Sequence, residues 1–242
     1  MFTLRRVLIG GVLAAVALVV VASAGWWFFI REDNKLATAS PNIPQDLVGA
    51  TSASDTPAVA ADPLTYKILP DRSEAAYFAD EKLASLPLPS KAKGSTKDIS
   101  GEFHLTADGF DLDTTKTSQF TVNLKTIKSD KDMRDQRVQN IALETSKFPT
   151  AIFTATKVTG FDNSIPAGQE QTLQLTGMLD LHGVQKEVTW EVLARREGNV
   201  ITGLATTSFK YGDFNIPVLK VANFVSVQDG VTLQATIVAQ TS

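Results

Sequence analysis

The chain has 242 residues and a formal net charge of −3, with 43% hydrophobic and 20% charged residues, which is a globular composition. Neither half is strongly basic, so the electrostatic footprint of a nucleic-acid-binding protein is missing and no nucleic acid partner is expected. Cysteine is absent, which excludes disulfides, thiolate metal sites and cysteine catalysis.

The N-terminal segment has the pattern of a membrane anchor. Arg5 and Arg6 precede an uncharged, mostly apolar stretch, residues 7–30. At a rise of about 1.5 Å per residue, a helix of this length spans the roughly 30 Å hydrocarbon core of a bilayer. We therefore predict a cytoplasmic basic stub at residues 1–6 and a single-pass transmembrane signal-anchor at residues 7–30. The rest of the chain would lie on the extracytoplasmic side of the cell membrane.

A cleaved signal peptide is the alternative for this segment. The small residues that end at Ala24 resemble a cleavage site, and cleavage there would release a secreted protein. The apolar run continues past that site, and Trp26 and Trp27 suit the membrane interface. An uncleaved anchor, with the membrane as a partner through the N-terminal helix, is the interpretation that we favour.

Residues 31–63 have the composition of a linker. They are rich in Ala, Ser, Thr, Pro and Asp and contain few large apolar side chains. Such a segment buries too little surface to offset the entropy of ordering it. We predict a flexible linker at residues 31–63 and a folded domain at residues 64–242.

The folded domain alternates apolar and polar residues with period two, which is typical of half-buried strands. The clearest alternations cover residues 120–125, 172–182, 187–192 and 231–237, and weaker ones cover Leu64–Leu69, Glu74–Ala79, Ile99–Leu105, Ala151–Val158 and Val200–Phe209. One short helix is predicted over Met133–Ala142, with Asp132 as its N-cap. The segment Ser85–Lys97 looks like a loop because it contains Pro and Gly.

Roughly eight or nine short antiparallel strands predict an all-β sandwich or closed barrel. A barrel of about eight strands is either filled by side chains or holds one small ligand. On the strand faces that point into the predicted barrel, small residues occur beside large ones. The small residues leave room for a cavity, but close packing of the large side chains from neighbouring strands would fill it. The small inward residues are Ala155, Gly177, Gly203, Ala205, Thr207 and Ala235.

Four segments together resemble the YceI-like proteins, and the likeness covers residues 64–239. They are Arg134-Asp135 followed by Phe148-Pro149-Thr150-Ala151-Ile152-Phe153, then residues 177–188, residues 210–216 and residues 225–233. Asn215 departs from the glycine that many members carry there. The resemblance implies an extended, eight-stranded antiparallel lipocalin-like barrel with a short helix. It further implies that an isoprenoid or other long-chain lipid lies in an apolar cavity.

The parity and the resemblance together define the candidate binding site. The predicted cavity lining is Phe103, Phe120, Val122, Phe153, Leu175, Leu179, Trp190, Phe209 and Leu233. The resemblance places Arg134 and Asp135 near a ligand headgroup at the barrel mouth. An Arg fork can clamp a phosphate or carboxylate, but both residues also fit a surface couple at a helix start.

Catalytic and metal-binding patterns are missing from the sequence. The two histidines, His104 and His182, have the polar parity of surface residues, and no further metal ligand is near either of them. We therefore predict no enzyme activity, no metal and no cofactor. The main hypothesis is an extracytoplasmic lipid carrier, and the alternative is an interaction module of the cell envelope with a filled barrel. The oligomeric state is left open, with a homodimer as one option.

Overall fold

The computed structural model describes the regions that follow the N-terminal segment. They are residues 34–49, 63–83, 90–109, 111–162, 164–221 and 225–241. The predicted stub at residues 1–6 and signal-anchor at residues 7–30 lie outside the described residues. Within the described ranges, no helix is both long enough and apolar enough to cross a bilayer.

Antiparallel strands make up most of the described chain. They are β1 Leu64–Ile68, β2 Glu74–Leu83, β3 Ser90–Thr96, β4 Ile99–Leu105, β5 Ser118–Asn123, β6 Lys128–Ser129, β7 Thr150–Thr159, β8 Gln171–Leu181, β9 Val184–Glu197, β10 Val200–Phe209, β11 Lys220–Val221 and β12 Val225–Thr241. One short α-helix, α1, covers Asp132–Arg137 and continues as a π-helical turn, Val138–Ala142. Short 3-10 helices cover Pro70–Arg72, Leu124–Thr126 and Tyr211–Phe214.

These strands close into a barrel. Strands β1 and β2 both pair with β12, through Ile68 with Ala239 and Glu74 with Thr236, so they form two halves of one bent barrel strand. In the same way β3 continues into β4, and β5 into β6, because each half pairs with the matching half of its neighbour. Together with β7, β8, β9, β10 and β12 they give eight barrel strands in simple chain order. The fold is therefore a closed, all-β, eight-stranded antiparallel barrel with one short helix, as predicted.

The turn between β8 and β9 fixes which residues face inward on both strands. His182 and Gly183 form a two-residue turn in which both have positive φ, 55° and 73°, the geometry that matches the twist of a hairpin. The turn sets Leu175 opposite Trp190, so both side chains point into the barrel on the same side of the hairpin.

Two local predictions differ from the structure. The helix begins at Asp132, with Lys131 as an N-cap that makes no side-chain capping bond, so Asp132 is the first helical residue and not the cap. Residues 90–96 form β3, so the loop predicted for Ser85–Lys97 is wrong there. Pairing with β2 on one side and β6 on the other stabilises β3 in spite of its Gly94.

The linker predicted for residues 31–63 is wrong over part of its length. The compact unit that contains the barrel begins at Lys35, not at Leu64. We call residues 35–49 the N-terminal strap, because this segment packs across the outside of β10 and β12. Its Ile43 is buried against Val200 and Val238.

Polar side chains of the barrel hold the backbone of the N-terminal strap. The Gln234 side chain accepts a hydrogen bond from Ala37 N and donates one to Ala37 O, at 2.9 and 3.0 Å. Thr202 Oγ1 donates to the carbonyl of Pro41 at 2.7 Å. These bonds come from residues distant in sequence, so the local composition of the strap could not reveal them.

Candidate functional site

The barrel encloses a cavity of about 340 Å³, within the usual size range of ligand pockets, roughly 300–1,000 Å³. Its wall is almost entirely apolar and runs the length of the barrel, from Arg134 and Leu219 at one end to Leu112 and Arg196 at the other. The small residues of the inner faces make this space. They include Ala75, Ala79, Ala155, Gly203, Ala205 and Ala235.

A belt of aromatic rings crosses one side of the interior. Tyr66 of β1 stacks on Phe103 of β4 with ring centroids 5.2 Å apart, and Phe103 stacks on Phe120 of β5 at 6.0 Å. Phe120 meets Phe153 of β7 at 6.2 Å, and Phe153 meets Trp190 of β9 edge-on at 5.9 Å. These contacts have the offset and edge-to-face arrangements that paired rings favour. Four of the rings, those of Phe103, Phe120, Phe153 and Trp190, therefore form a continuous aromatic part of the cavity wall.

Gly177 makes the last contact of the belt possible. It lies on β8, between the strands that carry Phe153 and Trp190. A Cβ at this position would be 2.7 Å from the Phe153 ring and 2.2 Å from the carbonyl oxygen of Thr154. Only glycine therefore lets the Phe153 ring cross β8 and reach Trp190.

Arg134 is held by carboxylates at the α1 end of the cavity. Its Nε and Nη2 donate to the two carboxylate oxygens of Glu81, at 3.1 and 2.9 Å, and its Nη1 donates to Asp130. The Arg134 and Glu81 side chains line the cavity and are only 19% and 10% exposed. Burial acts to lower the pKa of Arg134, but Glu81 and Asp130 outweigh burial and raise it. The charge of Arg134 is therefore compensated within the protein.

Asp135 has a different position from its neighbour. It is buried, and its Oδ1 accepts hydrogen bonds from the backbone N–H and the hydroxyl of Ser129, at 2.8 and 2.7 Å. It is not among the residues that line the cavity. Asp135 therefore fixes the turn before α1, and the headgroup contact predicted for it has no cavity to face.

Three aromatic side chains that carry a polar atom also line the cavity: Tyr77, Trp190 and Tyr211. Tyr77 of β2 lies over Gly94, where a Cβ would be 2.4 Å from its ring. Burial raises the pKa of Tyr77, and burial together with nearby Glu81 raises the pKa of Tyr211 to about 12. Among the described residues, neither Tyr77 OH nor Trp190 Nε1 has a hydrogen-bond partner, although both atoms are buried.

The opposite end of the barrel is closed by the β4–β5 connection. Arg196 of β9 donates to the carbonyl of Gly109 at 2.9 Å, and Leu112 is buried there. Burial raises the pKa of Tyr66, while the nearby charge of Arg196 acts to lower it. Arg196 therefore ties the wall of the barrel to the loop that covers this end.

The histidines are buried, which corrects the prediction of surface positions. His104 and His182 are only 6% and 8% exposed. His182 Nδ1 lies 3.1 Å from the carbonyl of Phe214, and Nε2 lies 3.3 Å from Glu144. Parity placed them correctly on the outer side of the barrel, but connecting segments cover them. In the described ranges no group of three or more His, Asp or Glu side chains is arranged to hold a metal ion.

Comparison with known proteins assigns the family. The model of the YceI-like domain matches residues 66–239. The chain belongs to the YceI-like family. A UPF0312 protein of Pseudomonas putida strain W619 is 33% identical over 180 residues, which cover 70% of this chain and 83% of the relative. A UPF0312 protein of Vibrio vulnificus strain YJ016 is 28% identical over 141 residues, which cover 54% and 71%.

Solved structures share the fold of this YceI-like domain. A polyisoprenoid binding domain from Saccharophagus degradans, implicated in plant cell wall breakdown, is similar with a TM-score of 0.55 at 15% identity. The match covers 74% of this chain and 99% of the Saccharophagus degradans domain. Burkholderia cenocepacia BcnA is similar with a TM-score of 0.53 at 20% identity. This match covers 72% of this chain and 99% of BcnA. At these identities the likeness shows the fold.

The YceI-like barrel brings most of the predicted site residues together. All nine residues predicted from parity line the cavity: Phe103, Phe120, Val122, Phe153, Leu175, Leu179, Trp190, Phe209 and Leu233. Their contact with a ligand stays a prediction. Sequence reasoning missed Tyr77, Glu81 and Tyr211. For Tyr77 the inward parity shared with Ala75 and Ala79 was the available signal, but small alanines made that strand look weak.

Proposed function

We propose that this YceI-like domain holds an isoprenoid or another long-chain lipid inside its barrel as a non-catalytic carrier. The observation that carries this proposal is the apolar cavity of about 340 Å³ that runs along the barrel. Each Å² of apolar ligand surface removed from water contributes roughly 25 cal/mol, so tail burial alone can supply affinity. The solved Saccharophagus degradans relative, a polyisoprenoid binding domain, supports the ligand class.

The alternative, an interaction module with a filled barrel, requires an interior without such a cavity. The inner faces carry alanine and glycine where a filled core would need larger side chains. No group of the described residues suggests a competing catalytic role, and the polar residues of the wall are few. The carrier hypothesis accounts for the small residues, and the interaction module does not.

The test is to block the cavity. The full chain, produced in a bacterial host, would be examined by native mass spectrometry and its bound lipid extracted and identified. The test variant is Ala205→Phe, whose side chain enters the cavity, and the matched control on the same strand is Ser208→Phe, which is exposed and faces outward. We expect one lipid per chain in the natural protein and in Ser208→Phe, and none in Ala205→Phe. The same lipid occupancy in Ala205→Phe, or no uptake of added isoprenoids by the natural protein, would contradict the proposal.

We also propose that the barrel works outside the cytoplasm, tethered by residues 7–30. This part rests on the apolar N-terminal segment and the two arginines before it. The chain has no cysteine, so one cysteine placed at the exposed Glu187 gives a clean probe. In intact spheroplasts, Glu187→Cys should react with a membrane-impermeant maleimide, and labelling only after lysis would place the barrel in the cytoplasm.

A further inference from the structure

The helix α1 and the π-helical turn after it have two different sides. On the inner side, Val138 and Ala142 line the cavity. On the outer side, Met133 and Ile141 are 67% and 53% exposed. Met178 is the one other large apolar side chain that is exposed among the described residues. The segment that forms the α1 end of the cavity therefore presents two apolar side chains to the outside.

The polar residues around these two side chains have no excess of one charge. Lys131 and Asp132, of opposite sign, are exposed at the start of α1. Gln136 and Asn140 are exposed along the same segment and are uncharged. Exposed apolar side chains on a helix with polar neighbours suit the interfacial region of a bilayer, where they leave water. Attachment here would depend on the apolar side chains and not on lipid charge.

The N-terminal strap runs along the barrel from the side of α1 toward the opposite end. Its Ala37 is bound by Gln234 of β12, and its Gly49 N donates to the side chain of Asn199 at 3.1 Å. Asn199 lies in the turn between β9 and β10, at the end away from α1. Gln234 is nearer to the end at which β12 pairs with Glu81. The first residues of the strap are therefore directed toward the α1 end.

The sequence leaves little chain between the strap and the proposed anchor. Six residues, 31–36, separate the apolar segment 7–30 from Ala37. Fully extended, this stretch reaches at most roughly 25 Å, about the length of a strand of seven residues. Such a short tether keeps the barrel close to the membrane. Since the strap arrives from the α1 end, that end would face the bilayer and Asn199 would face away.

We propose that the outer side of α1, with Met133 and Ile141, rests on the surface of the lipid bilayer. The lipid then passes between the bilayer and the cavity alongside α1, without crossing bulk water. This inference rests on the proposed carrier function and on the proposed tether. It names the partner of the α1 end, which is a bilayer surface, and the two side chains that hold it there.

The first test locates α1 relative to the bilayer. The full chain has no cysteine, so Met133→Cys gives one site for a nitrobenzoxadiazole fluorophore. The matched control is Thr114→Cys, which is exposed in the β4–β5 connection at the opposite end. Both proteins are reconstituted in phosphatidylcholine vesicles that contain a lipid spin-labelled in its acyl chain. The spin label should quench the probe at residue 133 and leave the probe at residue 114 unchanged. No quenching at residue 133, or equal quenching at both sites, would overturn the inference.

The second test measures lipid transfer. Geranylgeraniol is added to the vesicles, and the occupancy of the full chain is followed over time by native mass spectrometry. The test variant combines Met133→Asp and Ile141→Asp, and the control is Met178→Asp, an exposed methionine on the outer side of β8. Uptake should slow about tenfold in the double variant, because two apolar side chains no longer leave water at the bilayer. It should be unchanged in Met178→Asp, and geranylgeraniol affinity in detergent should be the same in all three proteins.

An unchanged uptake rate in the double variant would overturn the role of α1 in transfer. A natural chain that is not retained by the vesicles would overturn the tether and, with it, this inference. Failure of the proposed function looks different, because the natural chain would then take up no geranylgeraniol even in detergent, while the quenching at residue 133 would still report whether α1 rests on the bilayer.

Discussion

The guanidinium of Arg134 donates hydrogen bonds to both carboxylate oxygens of Glu81, at 3.1 and 2.9 Å, and so connects α1 to β2. Both side chains are largely buried in the cavity wall. Taking charges out of water is costly, and the loss of one partner leaves the other buried and unpaired. The pair therefore matters for the stability of the α1 end, whatever its contribution to binding.

Arg134→Met should lower the free energy of unfolding by about 3 kcal/mol, because it leaves the Glu81 carboxylate buried without a charged partner. The double variant with Glu81→Met should lose less than the sum of the two single variants, since it removes both charges together. Urea unfolding of the four proteins measures this coupling. Additive losses would contradict it.

An exposed ion pair offers the control for this cycle. Lys186 Nζ lies 3.2 Å from the carboxylate of Asp213, but these side chains are 47% and 45% exposed. Surface pairs contribute little, roughly 0–1 kcal/mol. The same double-mutant cycle on Lys186 and Asp213 should therefore show a much smaller coupling.

The N-terminal strap should contribute to the stability of the barrel. Ile43→Ala removes a buried side chain from its contacts with Val200 and Val238, and we expect a loss of about 2 kcal/mol in the free energy of unfolding. Asn42→Ala, at the exposed neighbouring position, should change it by less than about 0.5 kcal/mol. Equal unfolding curves for the two variants would mean that the strap is not coupled to the folding of the barrel.

Attachment of the N-terminal strap should depend on pH through Glu170. The hydroxyl and the backbone N–H of Ser40 both donate to Glu170, and with Arg195 they hold the pKa of this carboxyl below its usual value. A depressed pKa stabilises the folded state above the unfolded pKa, about 4.3 for Glu. That contribution is lost as the pH falls through the folded value. We therefore expect the strap to open more often below about pH 4.

Amide exchange measures this opening. Protection factors of residues 36–49, corrected for intrinsic exchange rates, should fall with acid in the natural protein. In Glu170→Gln they should be lower at neutral pH and nearly independent of pH. A strap that keeps its protection in acid would exclude Glu170 as the group responsible.

The inner faces of the barrel could be predicted because parity is a local property. Phe103, Phe120 and Trp190 were placed correctly, since period-two alternation sets the side on which each residue lies. The number of strands left a sandwich and a closed barrel as alternatives, and the resemblance to the YceI-like proteins favoured the barrel. Small residues at inward positions, such as Ala205, indicated room inside but left a filled interior as the alternative, because parity does not show how side chains from different strands pack.

Two of the errors, the unstructured linker and the surface histidines, share a physical cause, which is cover from distant parts of the chain. Gln234 and Thr202 bind the strap backbone across more than 160 residues, at sequence separations of 197 and 161. His182 is covered by Phe148 and by the segment that carries Phe214. Composition and parity describe a residue's own strand or segment, so they cannot show what packs on its outer side.

Gly177 offers a sharp test of how the aromatic belt is built. A methyl group at this position would meet the carbonyl of Thr154 at 2.2 Å and the Phe153 ring at 2.7 Å. Gly177→Ala should therefore cost about 3 kcal/mol of stability, as overpacking does, and displace Phe153 from Trp190. Urea unfolding reports the loss, and near-ultraviolet circular dichroism reports the displaced rings.

The control is Gly212→Ala, because nothing lies within 4 Å of a methyl group there. If Gly177→Ala matched this control in both measurements, the contact between Phe153 and Trp190 would not require a glycine at position 177. If it differed as expected, the displaced ring would also narrow the cavity, and lipid occupancy should fall with stability.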